Sequence, residues 1–215
     1  MQQHSRYLLG LCMLAVLVGL GFRPADSTVR IACIGDSITY GAGIEDKTMD
    51  SWPAQLGLML GKGWKVFNFG VGGATMLKNG TRPFWKEPQW INAQLINPDI
   101  VIIKLGTNDS APRNWPEHGA EFYADYTDMI DKLRAVDNPP RIYICTPAPA
   151  FNDLDSVISG EVIPVLKRLS RENNLNIIDF HQALRGLSGL FPDEIHPNAA
   201  GARIMAQTVH GILTK

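Results

Sequence analysis

Hydrophobic and polar positions alternate in blocks along this chain. Apolar runs of strand length recur at residues 29–34, 65–69, 100–105, 141–145 and 176–180, each followed by turn-forming residues. Several are apolar at consecutive positions rather than at every second one. That is the pattern of strands covered on both faces in a parallel sheet. Between them lie stretches with apolar residues at helical spacing. These are residues 51–60, 89–96, 116–136, 155–173 and 197–213. The third predicts a long amphipathic helix with Phe122, Tyr126, Met129, Ile130 and Leu133 on one side. Pro164 predicts a bend or restart in the fourth, and Pro197 suits the first turn of the last.

Strand and helix alternate throughout, so the expected class is α/β, a three-layer αβα sandwich around a five-stranded parallel sheet. Right-handed crossovers leave few topologies, and the flavodoxin-like order 2-1-3-4-5 is the expectation. Ligands in such sheets bind beyond the carboxyl ends of the strands, at the switch point, here between the first and third strands.

The first residues stand apart. Residues 1–6 are polar with one arginine, and Tyr7 to Phe22 is an almost unbroken apolar run. This is the layout of a secretory signal, and the run is shorter than the roughly 20 apolar residues of a membrane span. Residues 1–26 are therefore expected to be a signal peptide or N-terminal anchor, and residues 27–215 one domain. A periplasmic or secreted setting follows.

Composition narrows the partners. The chain has 215 residues, 45% hydrophobic and 19% charged, with a formal net charge of −1. No concentrated Lys/Arg field is present for phosphates, so nucleic acid is not an expected partner. Of three cysteines, Cys12 belongs to the leader. Cys33 and Cys145 lie in strands that the proposed order keeps apart, and are expected as buried free thiols. No Cys/His set has zinc-like spacing, and neither a Gly-x-Gly-x-x-Gly after the first strand nor a Walker-type Gly-Lys-Ser/Thr is present. No metal and no cofactor is expected.

The strand ends carry the candidate chemistry. The first strand ends in Gly35-Asp36-Ser37, the second in Asn68-x-Gly70-x-x-Gly73-x-Thr75, and the third in Gly106-Thr107-Asn108-Asp109. Asp193-x-x-His196-Pro197 precedes the last helix. A serine nucleophile needs a base, an orienter for the base and donors for an oxyanion, and these blocks hold candidates for each. The sequence lacks Gly-x-Ser-x-Gly, so the α/β-hydrolase nucleophile elbow is not the device. Asp179 and His181 form a second Asp/His pair at a strand end.

In order and spacing, the four blocks resemble those of the SGNH-hydrolase (GDSL-like esterase/lipase) superfamily, including its secreted carbohydrate and sialate O-acetylesterase-like members. The resemblance covers nearly the whole chain after the leader, with Ile38 where the family name has leucine. It implies a catalytic Ser37, Asp193 and His196, with Ser37, Gly73 and Asn108 forming the oxyanion hole. It makes Asp36 and Asp109 loop-bracing residues.

The reaction implied is cleavage of acyl esters through a Ser37 acyl-enzyme, with acetyl removal from carbohydrate hydroxyls as the leading case. The alternatives are a lysophospholipase or thioesterase acting on longer acyl chains, an acyltransferase on the same fold, and a non-catalytic binding module. The substrate is a small-molecule or glycan ester. Trp85, Trp90 and Trp115, on connections that open toward the site, are candidates for stacking on a sugar. Asn79-Gly80-Thr81 and Asn108-Asp109-Ser110 read as glycosylation sequons. A glycan on Asn108 would block the hole, which favours a bacterial setting.

Overall fold

The third predicted strand, residues 100–105, becomes the centre of the molecule. In the computed structural model, which describes residues 28–215, it is β3 (Ile100–Lys104), buried at every position. With β1 (Val29–Gly35), β2 (Trp64–Gly70), β4 (Arg141–Cys145) and β5 (Asn176–Ile178) it forms a parallel five-stranded sheet in the expected order β2-β1-β3-β4-β5. The expected leader, residues 1–26, and Cys12 with it, lie outside the described residues.

Alternate residues of each strand face opposite layers, as the pleat requires. Ala32, Ile34, Val101, Ile103, Ile142 and Ile144 pack into one core. That core is closed by α4 (Pro88–Leu95), α6 (Phe122–Arg134) and α8 (Ile163–Glu172). Ile31, Cys33, Ile100, Ile102, Tyr143 and Cys145 pack into the other, under α3 (Trp52–Leu60) and α10 (Ala199–Leu213). The shorter helices are α1 (Ser37–Tyr40), α2 (Lys47–Asp50), α5 (Trp115–His118), α7 (Leu154–Val157) and α9 (Phe180–Ala183). Each fully buried Ile or Val of these strands contributes roughly 1.5–3 kcal/mol, and the continuous apolar runs supply them to both faces at once. Cys33 and Cys145 are buried and free, with β3 between their strands, as expected. Among the described residues no helix is long and apolar enough to cross a membrane.

Four boundaries differ from the sequence expectation. The segment 116–136 is not one helix: α5 gives way to a 3-10 turn, Gly119–Glu121, before α6 begins. The chain folds against the Trp115 ring there, and a Cβ on Gly119 would lie 2.9 Å from it. Pro164 does not simply bend its helix. A π-helical turn, Ile158–Val162, precedes it, which relieves the clash between the proline ring and the carbonyl four residues back. The fifth strand stops at Ile178 because the Asp179 side chain caps α9 through Gln182 N–H. Pro197 lies outside the last helix, which starts at Ala199 because Asn198 accepts from the N–H groups of Ala200 and Gly201, each at 3.1 Å.

Candidate active site

The switch point between β1 and β3 gathers the four blocks. β1 runs into Gly35, and α1 starts two residues later with Ser37 as its first residue. The turn is tight enough that a Cβ on Gly35 would lie 2.1 Å from Thr39 Oγ1. Asp36, not Ser37, is the N-cap, accepting from Ile38 N–H at 3.0 Å. This leaves the Ser37 hydroxyl free to face the adjoining loops. Asn68 secures the far end of α1, donating to the Thr39 carbonyl at 2.7 Å and accepting from Gly70 N–H at 2.9 Å.

His196 reaches this hydroxyl from the loop before α10. Its Nε2 is 2.8 Å from Ser37 Oγ, and its Nδ1 is 2.6 Å from Asp193 Oδ2. With a carboxylate at Nδ1, the imidazole carries its proton there and Nε2 accepts from the serine. The other Asp193 oxygen accepts from His196 N–H at 2.7 Å and Ile195 N–H at 3.1 Å, so the loop is wrapped around the carboxylate. Partial burial opposes ionisation of Asp193, but the bonds from His196 and Ile195 outweigh it and hold the carboxyl below its ordinary value. Between them, Glu194 is exposed and adopts φ +67°. Its carbonyl accepts from Phe151 N–H at 2.7 Å, which ties this loop to the segment after β4.

Three donors on the loops after β1, β2 and β3 are unspent. Among the described residues the N–H groups of Ser37 and Gly73 have no acceptor. Asn108 uses one amide hydrogen on the Ala74 carbonyl at 3.0 Å, and the second is free. Gly73 sits at φ +77°, a conformation that excludes most side chains. Of the sequence-predicted residues, Ser37, His196 and Asp193 are joined by direct contacts, while Gly73 and Asn108 lie on the loops after β2 and β3, at the same carboxyl edge of the sheet.

The two other central acids do brace loops. Asp109 accepts from Met76 N–H at 3.1 Å and Leu77 N–H at 2.8 Å, holding the glycine loop against the Asn108 loop. Burial pushes its carboxyl up to about 7, against the pull of those N–H bonds. Asp36 has a partner that motif reading missed. Lys104, at the end of the otherwise apolar β3, donates to both its oxygens and to Thr107 Oγ1. The signal was visible in the sequence as the one charge closing an apolar run.

Other candidates fall away. Asp179 accepts from Thr146 Oγ1 and caps α9, while His181 pairs with Asp155 at 3.0 Å. Neither serves Ser37. His118 is engaged elsewhere, pairing with Glu121 at 3.1 Å. The tryptophans do not offer stacking faces. Trp90 and Trp115 are 7% and 9% exposed and belong to the core. Trp85 packs on Trp90, bonds to the Met76 carbonyl and carries Lys78 Nζ 4.5 Å above its ring. Aromatic rings on these connections are consumed in closing the layer of α4 and α6.

A nucleophile after β1, a His/Asp pair before the last helix and donors on the loops after β2 and β3 define a serine hydrolase site on a flavodoxin-like sheet. The model of the GDSL-like lipase/acylhydrolase family matches residues 33–204, and the chain belongs to that family. An acetylxylan esterase of Xylanibacter ruminicola is 41% identical over 208 aligned positions, covering 86% of this chain and 43% of the relative. A GDSL esterase/lipase of Arabidopsis thaliana is 25% identical over 140 positions, covering 55% of this chain and 45% of the relative. The chain thus spans less than half the length of these curated relatives. Among solved structures, a carbohydrate acetylesterase family member from Sinorhizobium meliloti superposes with a TM-score of 0.70 at 20% identity, covering 86% of this chain and 97% of that one. An acetyl xylan esterase superposes with 0.68 at 21% identity, covering 86% and 100%. Both share the fold.

Proposed function

We propose that this protein is a serine esterase that removes acetyl groups from carbohydrate hydroxyls, with an acetylated xylan or its fragments as the substrate class. The carrying observation is the 2.8 Å contact between Ser37 Oγ and His196 Nε2, backed by Asp193; the unspent donors of Ser37, Gly73 and Asn108 support it. The substrate class is supported by the 41% identity to an acetylxylan esterase.

In this mechanism Ser37 Oγ attacks the ester carbonyl carbon while its proton passes to His196 Nε2. The carbonyl oxygen becomes an oxyanion held by the N–H groups of Ser37 and Gly73 and by the free amide hydrogen of Asn108. Asp193 stabilises the imidazolium formed at His196. Collapse breaks the bond to the sugar oxygen, which takes the proton from His196 and leaves as the alcohol, with acetyl-Ser37 remaining. Water then gives a proton to His196 and attacks the acyl carbon. The bond from the acyl carbon to Ser37 Oγ then breaks as His196 returns the proton to that oxygen, and acetic acid departs, ionising to acetate in solvent. No step calls for a metal or cofactor. Export, supported by the apolar run at residues 7–22, suits a polymeric glycan substrate.

The test is hydrolysis of p-nitrophenyl esters from acetate to decanoate, with acetate release from acetylated xylan measured alongside. The expected result is preference for acetate and release from the xylan. A strong preference for long chains overturns the acetyl assignment. Transfer of the acyl group to added sugars in preference to water overturns the hydrolase assignment in favour of a transferase.

A further inference from the structure

The peptide unit joining Gly72 to Gly73 carries two groups with different duties. Its N–H, on Gly73, is one of the proposed oxyanion donors. Its carbonyl, on Gly72, accepts a 2.8 Å hydrogen bond from Nη1 of Arg82. In a trans peptide these groups lie in one plane and point in opposite directions, so fixing the carbonyl fixes the N–H.

That plane needs fixing. Ala74 N–H bonds to the Val71 carbonyl at 3.1 Å, which makes residues 71–74 a β-turn with Gly72 and Gly73 at its centre. Gly73 at φ +77° makes the turn type II. Rotating the central peptide by half a turn gives the type I form, in which the Gly73 N–H points the other way. A glycine pair tolerates both forms, because neither residue has a Cβ to forbid either one. The turn's own hydrogen bond is common to both. Only a contact to the central carbonyl distinguishes them, and Arg82 makes it.

Arg82 is itself held for this task. Glu87 takes the other edge of the guanidinium, Nε at 2.8 Å and Nη2 at 3.2 Å, leaving Nη1 for Gly72. The Arg82 carbonyl accepts from Thr75 N–H at 2.8 Å, so its backbone is tied to the same loop. The Arg82 side chain is 51% exposed, and its replacement empties no core.

We propose that Arg82, oriented by Glu87, is a positioning residue for the ester hydrolysis: it locks the Gly72–Gly73 peptide in the orientation that presents the Gly73 N–H to the oxyanion. A cation on the carbonyl also polarises the peptide, which strengthens the N–H as a donor. The inference rests on the esterase reading above.

The test compares wild type, Arg82→Ala and Glu87→Gln on p-nitrophenyl acetate, with thermal unfolding of each. Losing one oxyanion donor outright costs about 10²–10³ in rate, and a peptide freed to flip keeps part of its population in the productive form. Arg82→Ala is therefore expected to lower kcat about 10–100-fold, with KM within about twofold and an unchanged Tm. Its affinity for a trifluoromethyl ketone, which forms an oxyanion on Ser37, should fall by the same factor as kcat. Millimolar guanidinium chloride should restore part of the rate to Arg82→Ala and none to wild type. Glu87→Gln should show a smaller loss of the same kind.

An Arg82→Ala enzyme with wild-type kcat and ketone affinity overturns the proposal and leaves the esterase reading standing. A raised KM with unchanged kcat also overturns it, since Arg82 would then be holding substrate. A folded wild-type protein inactive on every acyl ester removes the esterase reading, and the proposal with it.

Discussion

Lys104 and Asp36 form an ion pair sealed inside the protein. The Lys104 ammonium lies 2.9 Å and 3.1 Å from the two Asp36 oxygens, and both side chains are 0% exposed. Its remaining proton goes to Thr107 Oγ1 at 2.7 Å, so the three donors of one ammonium are all used. Through Lys104 the residue before Ser37, Asp36, is tied to the residue before Asn108, Thr107. A buried pair of this kind is weak evidence for stability in itself, but breaking it strands a charge. Lys104→Met is expected to cost about 3–5 kcal/mol, read from urea unfolding. The double variant Asp36→Asn, Lys104→Met carries no stranded charge and keeps an acceptor for Ile38 N–H. It should recover most of that loss, and a double variant no more stable than Lys104→Met would contradict this account.

Removing the nucleophile separates chemistry from folding. Ser37→Ala is expected to lower kcat by at least about 10⁴-fold, with Tm unchanged, because the side chain is small and lies at the surface end of β1. Labelling by a fluorophosphonate should disappear in the same variant, which intact-mass spectrometry reads directly.

Asp193 should matter less than Ser37 and more than a surface carboxylate. Asp193→Asn keeps an acceptor for the loop N–H groups but offers no charge to the imidazolium and favours the wrong tautomer. A loss of roughly 10²–10⁴ in kcat is expected, with KM little changed. Steady-state kinetics on the acetate ester checks it.

Asn108→Ala removes a side-chain donor from the oxyanion and frees the Ala74 carbonyl. The expected loss is about 10²–10³ in kcat, with ground-state binding spared. Combined with Arg82→Ala, the losses should fall short of multiplying, because both changes loosen the same glycine loop.

Asp109 gives stability a pH signature. Its carboxyl titrates near 7 in the folded protein, raised by burial, against about 4 in the unfolded chain. Between these values the folded state holds a proton that the unfolded state has lost, so its contribution is full below about pH 4 and declines as pH rises to about 7. Above that range the curve should be flat for this group. Urea midpoints of wild type and Asp109→Asn across pH 4–9 test it, and the difference between the two proteins should change only below about pH 7.

The fold was legible because its signal is long and redundant. Consecutive apolar residues in β1, β3 and β4 announce strands covered on both sides, and the helical stretches between them leave little choice of topology. Element ends were less legible. The stop of the fifth strand at Ile178 and the start of the last helix at Ala199 were set by the caps Asp179 and Asn198, whose short side chains leave periodicity unchanged. The tryptophans misled for a related reason, since an aromatic residue on a connection reads the same whether it faces solvent or closes a core.

By itself, the sequence determined the parallel sheet and the family, and it named five candidate residues for the site. Each of these is carried by local pattern: apolar runs, and short motifs whose residue types are chosen by chemistry. Only the tertiary structure decided what holds that site in register. The Lys104–Asp36 pair spans strands 68 positions apart, and Arg82 acts through the carbonyl of a glycine ten residues away. Such contacts depend on where folding brings two loops and on which way one peptide plane faces. Neither leaves a mark in the spacing of residues along the chain.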